Sequence, residues 1–479
     1  MQHHSVLGQV VIGYSPIIGR QRQVVATRLT VFPARADSTP EAGPLLHALH
    51  EVWPPEAAPD DEPLNLSLRT LGPSAGTASG SITARPVASA RHLPNTAPHT
   101  SAANSGSKSP SAPSAPSAPR PARPVVAGLR AASGVLKLPP VALNVADEGL
   151  LRTVMQARPA PHFMIEVPAF MACDPALLGT LQGLQDNGTV LLLKGRPKSP
   201  LPREVLACFS HTVVDSDDER RALPSAAAPG LRSVTTVQSG VRTAAAAGQA
   251  FERGAVAVLG WPLDDPLPKA SGHCKVPTDV QIVLELINGV EREEPVGRLE
   301  ALLKRDPTLA FRLLRYLNSP SFGLTVEINS FGHALMLLGY QRLKRWLALL
   351  LASSSKGNNA QALMHAAVRR GLMMEQLAFG QDNPEVRGEM FICGVFSLLD
   401  RLLNQPFSDL LGSLPVPQRV QQALAGEGGP YGPHLNLVRA VEQEAVFDIR
   451  DGADTLLLGL AEVNHAVLRA LLSARELDG

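Results

Sequence analysis

Apolar and polar positions along this chain fall into three regimes. Residues 7–32 read as two strands, Leu7-Gly-Gln-Val-Val-Ile-Gly13 and Gln23-Val-Val-Ala-Thr-Arg-Leu-Thr-Val-Phe32, with a Gly/Arg turn between them. Past a polar stretch, short continuous apolar runs recur at near-regular spacing: Val141–Val145, Phe163–Val167, Thr189–Leu193, His211–Asp215, Ser233–Val237 and Ala255–Leu259. Helix-like pieces lie between them, such as Pro175–Leu184 and Val241–Phe251. Continuous apolar strands alternating with helices indicate a parallel sheet buried on both faces. With the two N-terminal strands the run reaches eight, the number of a (β/α)8-type barrel. An open doubly wound sheet has the same periodicity and stays as the alternative.

From Val276 onward the pattern is helical. Amphipathic stretches cover roughly 277–288, 295–304, 307–318, 330–338, 340–355, 359–378, 385–403, 416–425 and 434–446, with a last helix from about 453 to 476. Gly289, Gly339, Gly380, Gly412 and Gly426-Glu-Gly-Gly-Pro430 mark the breaks. One stretch is more specific than the rest, Asp306-Pro-Thr-Leu-Ala-Phe-Arg-Leu-Leu-Arg-Tyr-Leu-Asn-Ser319, followed by Ile328-Asn-Ser-Phe-Gly-His-Ala-Leu-Met-Leu-Leu-Gly339. Asp306 suits a helix cap and Pro307 a first turn, while Leu309, Leu313, Leu314 and Leu317 share a face. Gly339 suits the left-handed turn that ends the next helix.

Between these regimes, residues 33–136 are rich in Pro, Ala and Ser, including Ser109-Pro-Ser-Ala-Pro-Ser-Ala-Pro-Ser-Ala-Pro-Arg-Pro121. Too little apolar surface is available there to offset the entropy of ordering, so 72–135 reads as disordered, with a short helix at 44–52. The chain therefore divides into 1–71, 72–135, 136–268 and 275–479.

Charge is balanced, 44 Lys+Arg against 43 Asp+Glu, and aromatics make up 4%. Neither a global pull toward nucleic acid nor a base-stacking surface follows. Four scattered cysteines (Cys173, Cys208, Cys274, Cys393) contain no CxxC pair, which suits reduced thiols in a cytoplasm. The start Met1-Gln-His-His is unlike a signal peptide, and the longest apolar run, Trp346–Ala352, falls well short of the ~20 residues that span a bilayer. The expectation is a cytoplasmic protein without membrane insertion. Phosphate-loop, nucleophile-elbow and zinc-helix motifs are missing, and His211 with Asp215 lacks a third ligand. A basic cluster, Arg342, Lys344 and Arg345, reads either as an acidic-partner contact or as a solvated helix face.

The order Asp-Pro, Leu-Leu, Asn-Ser, Leu-Gly across 306–339 resembles the HDOD domain of bacterial signalling proteins, an HD-type helical domain without its metal centre. The resemblance covers roughly 275–475. In Glu389–Asp400 the place for His-Asp is filled by Phe396-Ser397, and His365 alone holds no metal. The order of elements upstream resembles the EAL domain, a barrel phosphodiesterase that hydrolyses cyclic di-GMP at two divalent metals. In that family carboxylates line the carboxyl ends of the strands, where hard cations need them. Here the signature Glu is matched by Arg28, the strand Asn by Asn144 and the next Glu by Glu166. The Asp-Asp-Phe motif falls on Lys194-Gly-Arg196, the catalytic Lys on Val213 beside a surviving Asp215, and the late Glu on Arg242. The resemblance thus implies a degenerate EAL-like barrel followed by an all-α HDOD domain, with no catalytic residues, metal or other cofactor. The expected role is a non-catalytic signalling scaffold that binds proteins such as a sensor kinase or diguanylate cyclase. The alternative is a cyclic di-GMP receptor, in which Arg28, Lys194 and Arg242 take the phosphates beside Asn144, Glu166 and Asp215.

Overall fold

The computed structural model describes residues 5–35, 40–54, 139–197, 199–217, 234–269, 278–303, 305, 331–352, 359–378, 383–414 and 416–478. The segment read as disordered, 72–135, and residues 306–330 of the 306–339 signature lie outside the described residues.

Eight strands close into a barrel in chain order: β1 (Val10–Gly19), β2 (Val24–Pro33), β3 (Val141–Val145), β4 (Phe163–Pro168), β5 (Val190–Lys194), β6 (Phe209–Asp215), β7 (Thr235–Ser239) and β8 (Ala257–Leu259). Closure excludes the open doubly wound sheet. The barrel is not uniformly parallel, however. β1 runs antiparallel to both β2 and β8, because a tight turn with Arg22 at φ 64° folds β1 directly onto β2. A two-to-four-residue turn can join only antiparallel strands. The remaining neighbours pair in parallel.

Around the sheet lie α1 (Ala42–Val52), α2 (Glu148–Gln156), α3 (Ala169–Ala172), α4 (Leu178–Asp186), α5 (Arg203–Leu206) and α6 (Ala244–Glu252). Asp147 caps α2 by accepting from the Leu150 N–H, and Thr243 caps α6 through the Ala246 N–H. Residues two apart on a strand share a face. By that rule Ala26, Ala142, Met164, Leu192, Val213, Val237 and Ala257 point inward, and with Ile17 and Leu259 they form a separate apolar cluster. The barrel interior is a filled layer and not a pore.

The helical half comprises α7 (Thr278–Glu291), α8 (Val296–Leu303), α9 (Phe331–Ala352), α10 (Ala360–Leu377), α11 (Pro384–Phe396), α12 (Leu399–Leu403), α13 (Phe407–Leu410), α14 (Gln418–Ala425), α15 (Gly432–Glu442), α16 (Val446–Thr455) and α17 (Leu460–Asp478). Gly339 has φ 70° and breaks α9, as its sequence context predicts. Two expectations need correction. The single helix over 385–403 is split at Ser397, whose hydroxyl donates to the Gly394 carbonyl at 2.7 Å and competes with the helix ladder. The last helix is two, because Leu457 turns left-handed at φ 56° and Glu462 caps the new start through the Gly459 N–H at 2.7 Å.

Residues 1–56 and 130–479 form one compact unit that contains both the barrel and the helices. One apolar core runs through both, from Val11 and Leu49 to Leu435 and Val467. Asn464 of α17 is the clearest polar tie. Its side chain accepts from the Ile12 N–H at 3.0 Å and donates to the Leu7 and Val10 carbonyls at 2.7 and 2.8 Å. Among the described residues no single helix is long and apolar enough to cross a membrane.

Candidate functional site at the barrel mouth

One step beyond the apolar layer, the inward faces of β2 to β7 turn polar. Ala26 is followed by Arg28 and Thr30, Ala142 by Asn144, Met164 by Glu166, Leu192 by Lys194, Val213 by Asp215 and Val237 by Ser239. Five of the six expected site residues therefore belong to one ring at the strand ends. Arg242 lies beyond it, three residues past β7, exposed and paired with Asp264 at 2.5 Å.

Arg28 is the centre of the ring. Its Nε and Nη2 donate to the two Glu166 oxygens at 2.8 and 3.0 Å, a bidentate pair with both side chains buried. Its Nη1 donates to Glu444 Oε2 at 3.0 Å and Oε1 at 3.3 Å. Glu444 follows α15, so the helical half inserts a carboxylate into the barrel mouth. Ser15 and Thr30 donate to the same carboxylate at 2.6 and 2.7 Å. Thr30 in turn accepts from the Asn144 amide at 3.1 Å, and Asn144 Oδ1 accepts from Lys194 Nζ at 2.7 Å. Burial alone would lower the Arg28 pKa; Glu166 and Glu444 outweigh it and raise it. Lys194 goes the other way, pushed down by burial and by the Arg28 charge, with Glu166 and Glu444 only partly offsetting this.

Glu444 reaches this position through an uncommon backbone. Its φ is 55°, a region that costs a non-glycine residue free energy and that surrounding contacts must hold. Gly13 in β1 makes room. A Cβ there would lie 3.0 Å from Glu444 Cα and from the Val441 carbonyl oxygen.

A second buried pair lies on the helical side. Arg370 of α10 donates to both Glu442 oxygens at 2.7–2.9 Å and to Ser397 Oγ at 3.1 Å. Asp400 is pushed above the usual carboxylate range by burial, and Arg439 is pushed down by burial and by Arg370. Between the two halves is a cavity of about 660 Å³ whose lining includes Arg28, Lys194, Asp215 and Arg242 from the barrel side and Arg370, Asp400, Arg439 and Glu444 from the helices. Asn144 and Glu166 join it indirectly, through Lys194 and Arg28. His365 contacts Arg369. Among the described residues no group of three or more His, Cys, Asp or Glu gathers as a metal site.

The basic cluster after Gly339 divides. Lys344 pairs with Glu291, and Arg345 pairs with Glu375 at 2.6 Å while stacking on Phe391; only Arg342 faces solvent. Sequence reasoning missed Ser15, Thr30, Arg370, Arg439, Glu442 and Glu444. The Ser15 and Thr30 signal was present, since both continue the inward alternation of their strands. Glu444 had none: it lies 416 residues from Arg28 on an unremarkable turn.

The HDOD domain model matches residues 276–404, so the helical half carries an HDOD domain. The match contains the 306–339 signature and ends short of the expected limit near 475. The chain is 31% identical over 217 residues to the uncharacterized protein YuxH of Bacillus subtilis, covering 44% of this chain and 52% of that protein. It is 28% identical over 190 residues to the cyclic di-GMP phosphodiesterase CdgJ of Vibrio cholerae, covering 40% of this chain and 44% of that protein. It thus spans about half the length of these curated relatives. No solved structure matches.

Proposed function

We propose that this chain is a non-catalytic signal-transduction protein whose HDOD domain docks onto other signalling proteins, with a degenerate EAL-like barrel as its structural partner. The observation that carries this reading is the Arg28 guanidinium, held bidentate by Glu166 and closed over by Glu444. By the EAL resemblance a fixed cation stands where a metal-binding carboxylate is needed, and its ion pairs engage the Glu166 and Glu444 oxygens that a divalent ion would require. The helical side repeats the theme: Ser397, standing where an HD hydrolase keeps its His-Asp pair, is hydrogen-bonded by Arg370, itself neutralised by Glu442. Two sites that resemblance associates with metal chemistry hold internal Arg–Glu pairs, which supports a binding role for the protein surface.

The partner class we propose, by resemblance to HDOD signalling proteins alone, is a sensor kinase or a diguanylate cyclase. The test is biolayer interferometry of the immobilised full chain against purified kinases and cyclases of the source bacterium. Saturable binding that is indifferent to EDTA is expected. No binding by any of them, together with metal-dependent turnover of cyclic di-GMP, would overturn the reading.

A second reading, a cyclic di-GMP receptor, is favoured by one observation: Arg28, Lys194 and Arg242 line a single cavity. Two of these cations already have carboxylate partners, Glu166 and Glu444 for Arg28 and Asp264 for Arg242. A phosphate must displace those partners, and for that reason the docking reading is preferred.

A further inference from the structure

Large apolar side chains that stand in solvent are few among the described residues: Phe170, Phe447 and Leu457. The last two belong to one element. Phe447 lies in the first turn of α16 and Leu457 in the turn that follows it, 79% and 92% exposed. Leu457 is not a frayed end. Its N–H donates to the Asp454 carbonyl, and the Leu456 and Leu458 N–H groups donate to the Gly452 and Ala453 carbonyls. Its left-handed φ of 56° is a conformation that favours glycine, so a leucine there is strained and gains no burial in return.

Between these two residues α16 sorts its charges. Its one cation, Arg450, turns to the barrel and donates to the Pro33 carbonyl at 3.2 Å. Asp448, Asp451 and Asp454 stand on the exposed side with Phe447, at the three- and four-residue spacing of one helix face. Ile449 and Ala453 take the opposite, buried face. Among the described residues none of the three carboxylates makes an ion pair. They repel one another, and Asp454 also opposes the negative end of the helix dipole. A groove of about 370 Å³ runs beside this face, between α15 and α16, with Asn436, Leu437, Gln443, Asp448, Asp451 and Thr455 in its lining. Arg439 is the one cation there, against two carboxylates.

We propose that the exposed face of α16 docks a basic amphipathic helix of a partner protein, with Phe447 and Leu457 as apolar anchors and Asp448, Asp451 and Asp454 pairing with Lys or Arg between them. This rests on the docking role proposed above, and it puts the contact outside the matched HDOD stretch, residues 276–404. The anchors are ten positions apart, a rise of about 15 Å along a helix. A helix laid along the groove meets both with its own apolar residues three turns apart. A second copy of this chain, set face to face, would oppose carboxylate with carboxylate, and an anionic membrane is repelled likewise. Only a cationic partner relieves the charge row while covering both anchors.

The test is fluorescence anisotropy of the full chain with a labelled, alanine-rich helical peptide of about 18 residues. The peptide carries two leucines three turns apart and three lysines on the same side between them. Saturable binding that weakens with salt is expected, and none for the peptide with glutamate in place of lysine. Phe447→Ala is expected to weaken binding roughly 10-fold, as loss of an apolar anchor, and the Asp451→Asn/Asp454→Asn double variant roughly 5-fold. Phe170→Ala, on α3, should leave binding unchanged. Leu457→Gly separates anchor from fold: binding should weaken while the melting temperature holds or rises, because glycine suits the left-handed turn. Absence of peptide binding would overturn the proposal, as would binding that these α16 variants keep or a melting temperature lowered by Leu457→Gly. Binding to phosphatidylglycerol vesicles that is lost in Phe447→Ala would overturn it in favour of a membrane surface. The docking role fails separately. If no kinase or cyclase binds but the peptide does through α16, this surface stands and the partner class falls. Kinase or cyclase binding that the Phe447 and Asp variants both keep would remove this surface and leave the role.

Discussion

Arg28 shows how one side chain sets the chemistry of a whole strand end. A carboxylate at that position beside Glu166 would create a cluster of negative charge that asks for a metal. A guanidinium there satisfies Glu166 from within and draws a second carboxylate, Glu444, from the helical half. All three side chains are largely removed from water, at 10%, 0% and 17% exposure, so the pairings are strong only as long as every member is present. Arg28→Ala leaves Glu166 uncompensated in the barrel and Glu444 held only by Ser15 and Thr30. The expected loss is about 3–5 kcal/mol of unfolding free energy, the usual result of breaking one side of a buried pair. Glu444→Gln, which keeps an acceptor for the two hydroxyls, should cost clearly less. Urea unfolding of the two variants beside wild type checks the order, and an Arg28→Ala stability within ~1 kcal/mol of wild type would show the network to be incidental.

At the scale of elements, close approach of helices and strands depends on glycine at a few crossings. Where α10 meets α11, a Cβ on Gly394 would sit 2.5 Å from the Arg370 carbonyl oxygen and one on Gly371 2.6 Å from Val395 Cγ2. That contact places Arg370 next to Ser397 and hence the buried pair with Glu442. Helix propensity alone favours Gly394→Ala by about 1 kcal/mol, whereas overpacking costs about 1–3 kcal/mol. Backbone is the atom in the way, so the second effect should win: Gly394→Ala is expected to lower the melting temperature, and a rise would mean the crossing is looser than its geometry. Elements were the most legible level in the sequence. Seven of the eight strands fall where apolar runs predict them, since a strand buried on both faces leaves a continuous apolar signature; β1 instead starts at Val10 and runs on to Gly19, through residues read as a turn. Gly339 likewise announces its own break. The Ser397 break and the turn at Leu457 were hidden, because a serine back-bond and a left-handed leucine leave no compositional mark.

At the scale of the molecule, the sequence divides into barrel and helices, and one apolar core contains residues of both. The division follows a change of period, from short apolar runs to amphipathic helices. The join rests instead on contacts between residues hundreds of positions apart, such as Asn464 with Ile12 and Glu444 with Arg28. Local pattern carries no information about such pairs. The same limit applied to the site: its barrel-side ring was readable from strand-end residues, and its helical side, Glu444, Arg370, Glu442 and Arg439, was not. What emerges is a barrel whose mouth faces the protein's own helical half, which carries the HDOD domain, across a cavity of about 660 Å³. The account's central claim is that this arrangement does not turn over cyclic di-GMP. The most direct measurement is chromatographic detection of linear product after incubating the full chain with cyclic di-GMP and either Mg²⁺ or Mn²⁺. The account predicts no product above the buffer control with either metal. Metal-dependent product formation that disappears in Glu166→Gln would contradict it.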